Sequence, residues 1–541
     1  MNSIGFTNFR RFQYFPEIDL GDITILVGGN NAGKSTLVKA ILLMRDFLKR
    51  RIERVGNSEK KLFWKYAPQF SFDTEHVNVG DFYRAFCRQS SVKDNTITFS
   101  MKIDKFHFIV NIRGERKPGI IPRVSMIAVS DEERDIHFEF DFSKGQMTIR
   151  FEYDKEALNN DIDKTKQIAG RINRLKERLS QSRDFDEISN IKIELESLER
   201  MSSFANNVGV EISEYDEVTI DLSYFKGNNV GNLVIPEFIR AFVSYSETGS
   251  LGDKRSRYYA DKVAKKNFIR GKASEINRIA DEVERVINGQ AIEYIYAHSV
   301  YQDSVYANCA NSNDYTKRTI HEFYTSRISK GDDEFKLIER WLKEFKIGDS
   351  LKVLPYKGDN YSLVIFDKEN PEVTNENDKA YPGGIDLADK GMGSIQIVIL
   401  LLRIATLIRK YKGQQLTVLL EEPEQNLHPA IQSKLAEMIY EVNVEFGIRF
   451  IIETHSEYLI RRTQVLVAGF NQDDEATLNR NNPFAVYFLN KNPEEKPRKM
   501  TYKLSGAFNE KFGEGFFDEA SKWDMMIIRK EFEQSKKKKE I

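Results

Sequence analysis

The chain has 541 residues, with 81 basic and 82 acidic side chains and a formal net charge of −1, a length that supplies roughly two to four domains' worth of chain. An apolar fraction of 40%, an aromatic fraction of 12% and only 13 prolines exclude a largely disordered or collagen-like chain. Cys87 and Cys309 are its two cysteines, too few and too far apart in sequence for a disulfide scaffold or a zinc site, so a reducing compartment is expected.

The N-terminus lacks a basic start followed by an apolar stretch, so no export signal is visible and a cytoplasmic location is expected. Ile23 to Val27 read as a short buried strand, followed by a glycine-rich turn and a helix with apolar residues at Leu37, Ala40, Ile41, Met44 and Leu48. Gly28 and Gly33 bracket four residues and are followed by Lys34 and Ser35, the spacing G-x-x-x-x-G-K-[ST]. In such a loop, Gly28, Asn30, Asn31, Ala32, Gly33, Lys34, Ser35 and Thr36 turn successive backbone N–H groups toward a phosphate, and the helix points its positive end at the same anion. Lys34 is expected to reach the β- and γ-phosphates and the Ser35 hydroxyl to bind Mg²⁺, which makes ATP and Mg²⁺ the expected ligands.

From Asp154 to Arg200 the chain is highly charged, with Leu158, Ile162, Thr165, Ile168, Ile172, Leu175 and Leu179, then Ile188, Ile191, Leu195 and Leu198, at steps of three and four. Around a turn at SQSRDFD this predicts an antiparallel helical hairpin, a short coiled coil that either stabilises a dimer or docks a partner. Next, Lys254, Arg255, Arg257, Lys262, Lys265, Lys266, Arg270 and Lys272 face the single acid Asp261, with Tyr258, Tyr259 and Phe268 interleaved. Residues 254–272 therefore suit DNA or RNA, an acidic partner surface or a solvated helix face.

Gly391, Gly393 and Ser394 open a long apolar stretch, IQIVILLLRIATLI, which stops short of the roughly 18 residues of a membrane span and holds Arg403. It reads as a buried helix whose N-terminal N–H groups form a second anion site, one that serves the nucleotide of another copy of the chain. Leu416 to Leu420 read as a buried strand ending in Glu421 and Glu422. Successive side chains at a strand end point to opposite faces, so Glu421 is assigned to the Mg²⁺ shell and Glu422 to polarising the attacking water. A further strand, Ile448 to Ile452, emerges at Thr454, His455 and Ser456, which places His455 to contact the γ-phosphate.

The order GGNNAGKST, GMGSIQ, LLEEPEQNLHP, ETHSEYL resembles the ABC-type ATPase head shared by SMC, RecF and OLD-like proteins. The glutamate pair followed by Pro423, and the Leu427-His428-Pro429 turn, resemble the prokaryotic OLD-like subgroup. HVNVGDFYRAFCRQ resembles the segment before that family's Q-loop, which makes Gln89 a candidate Mg²⁺-sensing residue. The resemblance covers about 1–150 and 291–541. It implies an α/β fold, an ABC-type P-loop head split in sequence: an N-lobe over 1–150, the hairpin over 151–203, a mainly helical insertion with the basic segment over 204–290, and a C-lobe over 291–541. It also implies a homodimer with ATP sandwiched between two heads. The signature departs from the L-S-G-G-Q form, and Glu421 stands where many relatives have aspartate.

OLD proteins commonly carry a TOPRIM nuclease after the head, but no strand pair ending in an acid and D-x-D follows His455, and no HNH-like cluster is visible among the seven histidines. The resemblance is therefore closest to the stand-alone ATPases of anti-phage defence such as the Septu type, which implies a separate effector, an HNH-type nuclease. The alternative is a DNA-repair or chromosome-maintenance ATPase.

Overall fold

The computed structural model describes residues 1–51, 67–90, 95–152, 170–181, 191–192, 194–195, 215–222, 233–248, 259–296, 306–307, 315–356, 360–367, 384–513 and 522–531. Two sheets dominate. One has six strands in the order Gln290–Ile295, Gln415–Glu421, Arg449–Glu453, Ile23–Gly28, Phe484–Leu489, Arg498–Met500, all parallel except the last. The N-terminal strand Ile23–Gly28 thus sits inside a sheet otherwise built from residues beyond 289, so the head is split in sequence and single in space.

Alternation along these strands assigns each face to a different core. Leu26, Leu419 and Ile451 point to the side holding the helix Lys34–Leu48, while Ile25, Val27, Val418, Leu420 and Ile452 point to the helices Met392–Lys410 and Pro429–Phe446. Met392–Lys410 is long and apolar enough to cross a membrane but is mostly buried in the protein, between Tyr315–Thr325, Asp333–Glu344 and the sheet. Its Arg403, 3% exposed, is paired with Glu293 at 3.1 Å and with Glu322, which is why a charge is tolerated there. The reading of this stretch as a buried core helix holds.

The second sheet is antiparallel and eight-stranded, in the order Tyr215–Asp221, Gln146–Glu152, Ile136–Asp141, Arg123–Asp131, Phe106–Arg113, Thr96–Ile103, Ser3–Phe9, Phe12–Asp19. Residues 204–290, expected to be mainly helical, therefore also supply an edge strand, Tyr215–Asp221, in register with Gln146–Glu152. Their helices Val234–Thr248 and Ala273–Gly289 cover this sheet, with Phe238 against Phe140 and Phe142 and Phe242 against Phe138. Glu282 binds this helix layer to the strand turns through a bidentate Arg134 pair at 3.0 Å and Lys105 at 2.9 Å. In the hairpin insertion, Ile172 and Leu175 pack with Ile191 and Leu195, and Arg171 pairs with Glu194; the turn SQSRDFD and the outer stripe positions lie largely outside the described residues.

Candidate active site

The loop between the strand Ile23–Gly28 and the helix Lys34–Leu48 turns where two residues adopt positive φ, Asn31 at 62° and Gly33 at 105°. At Gly33 a side chain is excluded twice over, by that conformation and because a Cβ would stand 2.4 Å from the Phe12 ring. Ala32 N–H donates to Gly29 O and Thr36 N–H to Gly33 O, which closes the loop onto the helix start. Lys34, 3% exposed, folds back so that its ammonium donates to the Gly28 carbonyl at 3.0 Å and lies 2.9 Å from His455 Nε2. Burial lowers the Lys34 pKa, with the Glu453, Glu422 and Glu424 carboxylates opposing.

A cavity of about 630 Å³ opens over this loop. Asn31 to Thr36 form one wall; Arg10, Arg11, Lys39, Arg84 and Arg88 supply cations, and Glu453 is the one carboxylate among the described lining residues. Burial lowers the pKa of both Arg10 and Lys39, and crowding by Arg84 on the first and Arg10 on the second adds to it. A cavity so biased toward positive charge, at the N-terminus of a buried helix, suits a polyphosphate. Gln89 lines the same cavity; Asp81 caps the preceding short helix Phe82–Ala85 by accepting from the Arg84 N–H at 3.0 Å.

The carboxylates arrive from the two neighbouring strands. Glu421 ends the strand Gln415–Glu421, in register with Glu453 at the end of Arg449–Glu453. Tyr294, on the edge strand, donates its hydroxyl to Glu421; burial and then that carboxylate raise the Tyr294 pKa well above its usual value, so the phenol stays a donor. Glu422 leaves the strand at φ 42°, donates its N–H to the Glu453 carbonyl at 2.7 Å, and places Oε1 3.6 Å from His455 Nε2. Desolvation and the Lys34 ammonium lower the His455 pKa, leaving a neutral ring whose Nε2 accepts from Lys34.

Three participants are absent from the sequence reading. Glu453, 4% exposed, accepts from the Ser35 hydroxyl at 2.8 Å, while its Oε2 has no hydrogen-bond partner among the described residues. Burial raises its pKa to about 7. Glu424, 7% exposed, accepts from the Thr454 hydroxyl and the His455 N–H, both at 2.7 Å, and so ties the turn after Glu421 to the loop bearing His455. Tyr294 is the third. The signal for Glu453 was present, since it is a strand-end acid like Glu421; nothing local marks Tyr294, whose role depends on strand pairing.

Gly391, Gly393 and Ser394 do not line the cavity. Gly391 caps the helix Met392–Lys410, with Gly391 and Met392 exposed. A Cβ on Gly393 would stand 2.8 Å from the Asn426 carbonyl, so this helix start rests directly on the turn that follows Glu422. Gln396 strengthens the contact by donating to the Pro423 carbonyl at 3.2 Å.

The described part of the basic segment is largely engaged within the protein. Lys265 pairs with Asp261, Lys266 is buried beside Tyr245, Arg270 donates to the Ser246 carbonyl, Lys272 lies over Phe151, and Phe268 packs on the core. Lys254, Arg255, Arg257 and Tyr258 lie outside the described residues. Asp474 caps the helix Glu475–Asn481 by accepting from Thr477 N–H.

The strand, phosphate loop and helix, with acids at the ends of two parallel neighbours, define a P-loop ATPase head of mixed α/β fold. The family model described as AAA ATPase domain matches residues 1–460, and the chain belongs to that family. No curated protein matches the chain. Among solved structures it is similar to an Smc head bound to the C-winged helix domain of ScpA, at 11% identity over 92% of this chain and 97% of that one, TM-score 0.32. It is also similar to an Smc head with an extended coiled coil bound to the C-terminal domain of ScpA from Pyrococcus furiosus, at 11% identity over 92% and 96%, TM-score 0.29.

The family implies nucleotide, with Mg²⁺ as its usual companion. The residues fit both: backbone N–H groups and cations for phosphate, and the hard oxygens of Ser35 and Glu421 for Mg²⁺. Among the described residues no group of three His, Cys, Asp or Glu forms a metal site in advance. That accords with an ion held partly by phosphate oxygens and water.

Proposed function

We propose that this chain binds and hydrolyses ATP with Mg²⁺ between two copies joined head to head, and that closure of the pair controls a separate effector, an HNH-type nuclease, in cytoplasmic anti-phage defence. The observation that carries the ATPase reading is that Lys34 and Ser35 line one cationic cavity while the Lys34 ammonium also meets His455, which has Glu422 beside it. Lys34 neutralises and orients the phosphates, and Mg²⁺ supplies charge neutralisation on them. Glu422 polarises water, with His455 set between it and Lys34. The exposed start of Met392–Lys410, outside the chain's own cavity, favours a role on a second copy's nucleotide. Direct action on DNA is the less favoured reading, because Lys265, Lys266, Arg270 and Lys272 have partners within the fold.

Two measurements test this reading. Lys34→Ala should weaken ATP binding about a hundredfold or more, because a charge-assisted phosphate contact is lost; tight binding by that variant refutes the P-loop assignment. Co-expression with neighbouring gene products should yield a stable complex with a nuclease, and a chain that purifies alone in every pairing refutes effector control.

A further inference from the structure

We propose that Glu453 is a direct ligand of the divalent ion, so that this head holds its metal between two carboxylates and the Ser35 hydroxyl. The inference rests on the ATPase reading for the nucleotide that accompanies the ion. It starts from sheet geometry. Glu421 and Glu453 are register partners on adjacent parallel strands, which lie about 4.8 Å apart. Leu419 and Ile451, two residues before each, both face the side of the sheet that carries Lys34–Leu48. By strand alternation the two carboxylates project to that same side, toward Ser35.

The hydrogen bonding then leaves a vacancy for a positive partner. One oxygen of Glu453 receives the Ser35 hydroxyl at 2.8 Å, while the other is buried with no hydrogen-bond donor among the described residues. Buried carboxylate oxygens are rarely left so, and an ion supplies what side chains do not. Tyr294 fixes one oxygen of Glu421 from the opposite flank, which restrains that carboxylate beside its neighbour. Ser35, Glu421 and Glu453 are all hard oxygen donors, the set Mg²⁺ or Mn²⁺ takes, with one or two carboxylates joined by phosphate oxygens and water. The cations Lys34, Lys39 and Arg10 offset the added negative charge without occupying the vacant oxygen. If Glu453 served only to fix the P-loop serine, an amide would replace it with no consequence for metal.

The experiment compares the full chain with Glu453→Gln and Glu453→Asp. Fluorescent-nucleotide binding in EDTA reports the P-loop alone, and Mn²⁺ titration followed by electron paramagnetic resonance, with ADP present, reports the metal seat. The expected result is that nucleotide still binds all three proteins in EDTA, that Mn²⁺ affinity falls at least about tenfold in Glu453→Gln, and that Glu453→Asp, which keeps the charge but shortens the reach, shows an intermediate loss. Mn²⁺ affinity within twofold of the parent in Glu453→Gln overturns the proposal. Failure of the parent to bind nucleotide both in EDTA and with Mg²⁺ present would instead defeat the ATPase reading. In that case the Mn²⁺ titration without nucleotide decides the proposal by the same tenfold criterion.

Discussion

Glu422 is held in a left-handed backbone conformation at φ 42°, uncommon for a side chain of its length, with its carboxylate 3.6 Å from His455 Nε2. The two adjacent acids therefore have different neighbours: Tyr294 for Glu421, His455 and Gln425 for Glu422. Glu422→Gln should preserve ATP binding, slow turnover by about 10²- to 10⁴-fold, as expected for loss of a general base, and accumulate closed dimers. Steady-state hydrolysis with size-exclusion chromatography checks it, and turnover that survives there but vanishes in Glu421→Gln would reverse the two roles. Much at this scale was legible in sequence, because Lys34, Ser35 and Gly33 act through spacing along one turn. Glu424 was not, since its work is done across a gap of 30 residues, on the Thr454 hydroxyl.

Individual elements hold together by means that can be tested separately. Phe99 on Thr96–Ile103 is fully buried and meets Phe9 edge-on at 5.1 Å and Phe70 at 5.9 Å. Phe99→Ala should cost about 3–5 kcal/mol, from lost burial and an unfilled cavity, read as a lowered urea midpoint. The helix Ala273–Gly289 is tied to the sheet by Glu282, whose pKa is depressed from 4.5 to about 2, first by Arg134 and then by Lys105. A depressed carboxylate adds stability that is fully present above pH 4.5 and is lost as pH falls toward 2. Urea midpoints should drop across that window in the parent and fall less steeply in Glu282→Gln. Period-two alternation over Thr96–Ile103 and Phe106–Arg113 makes these strands readable from sequence. The pairing of Tyr215–Asp221 with Gln146–Glu152 is not readable so, because the hairpin insertion separates the partners and neither strand encodes its neighbour.

Across the whole molecule, the helix start at Gly391 is exposed and is not part of the lining of the cavity at Lys34. If each serves the other copy, Ser394→Arg should leave single-chain nucleotide affinity within about twofold yet prevent ATP-dependent dimers, because a bulky cation fills the contact while the P-loop is untouched. Analytical ultracentrifugation with the Glu422→Gln background checks this, and dimers that persist would remove Ser394 from the interface. The sequence conveyed the split head through its motif order, but not which strand lies beside which. That is a property of the assembled sheet, where Ile23–Gly28 lies between Arg449–Glu453 and Phe484–Leu489.

That insertion has a consequence for synthesis. The lysine and glycines of the phosphate loop leave the ribosome long before either strand that must flank them, since both lie beyond residue 448. Contacts so distant in sequence form slowly, and a growing chain exposes the unpaired edges of Ile23–Gly28 until they do. A translation product interrupted before residue 415 therefore carries the phosphate loop without the strands that bring Glu421, Glu453 and His455 to it.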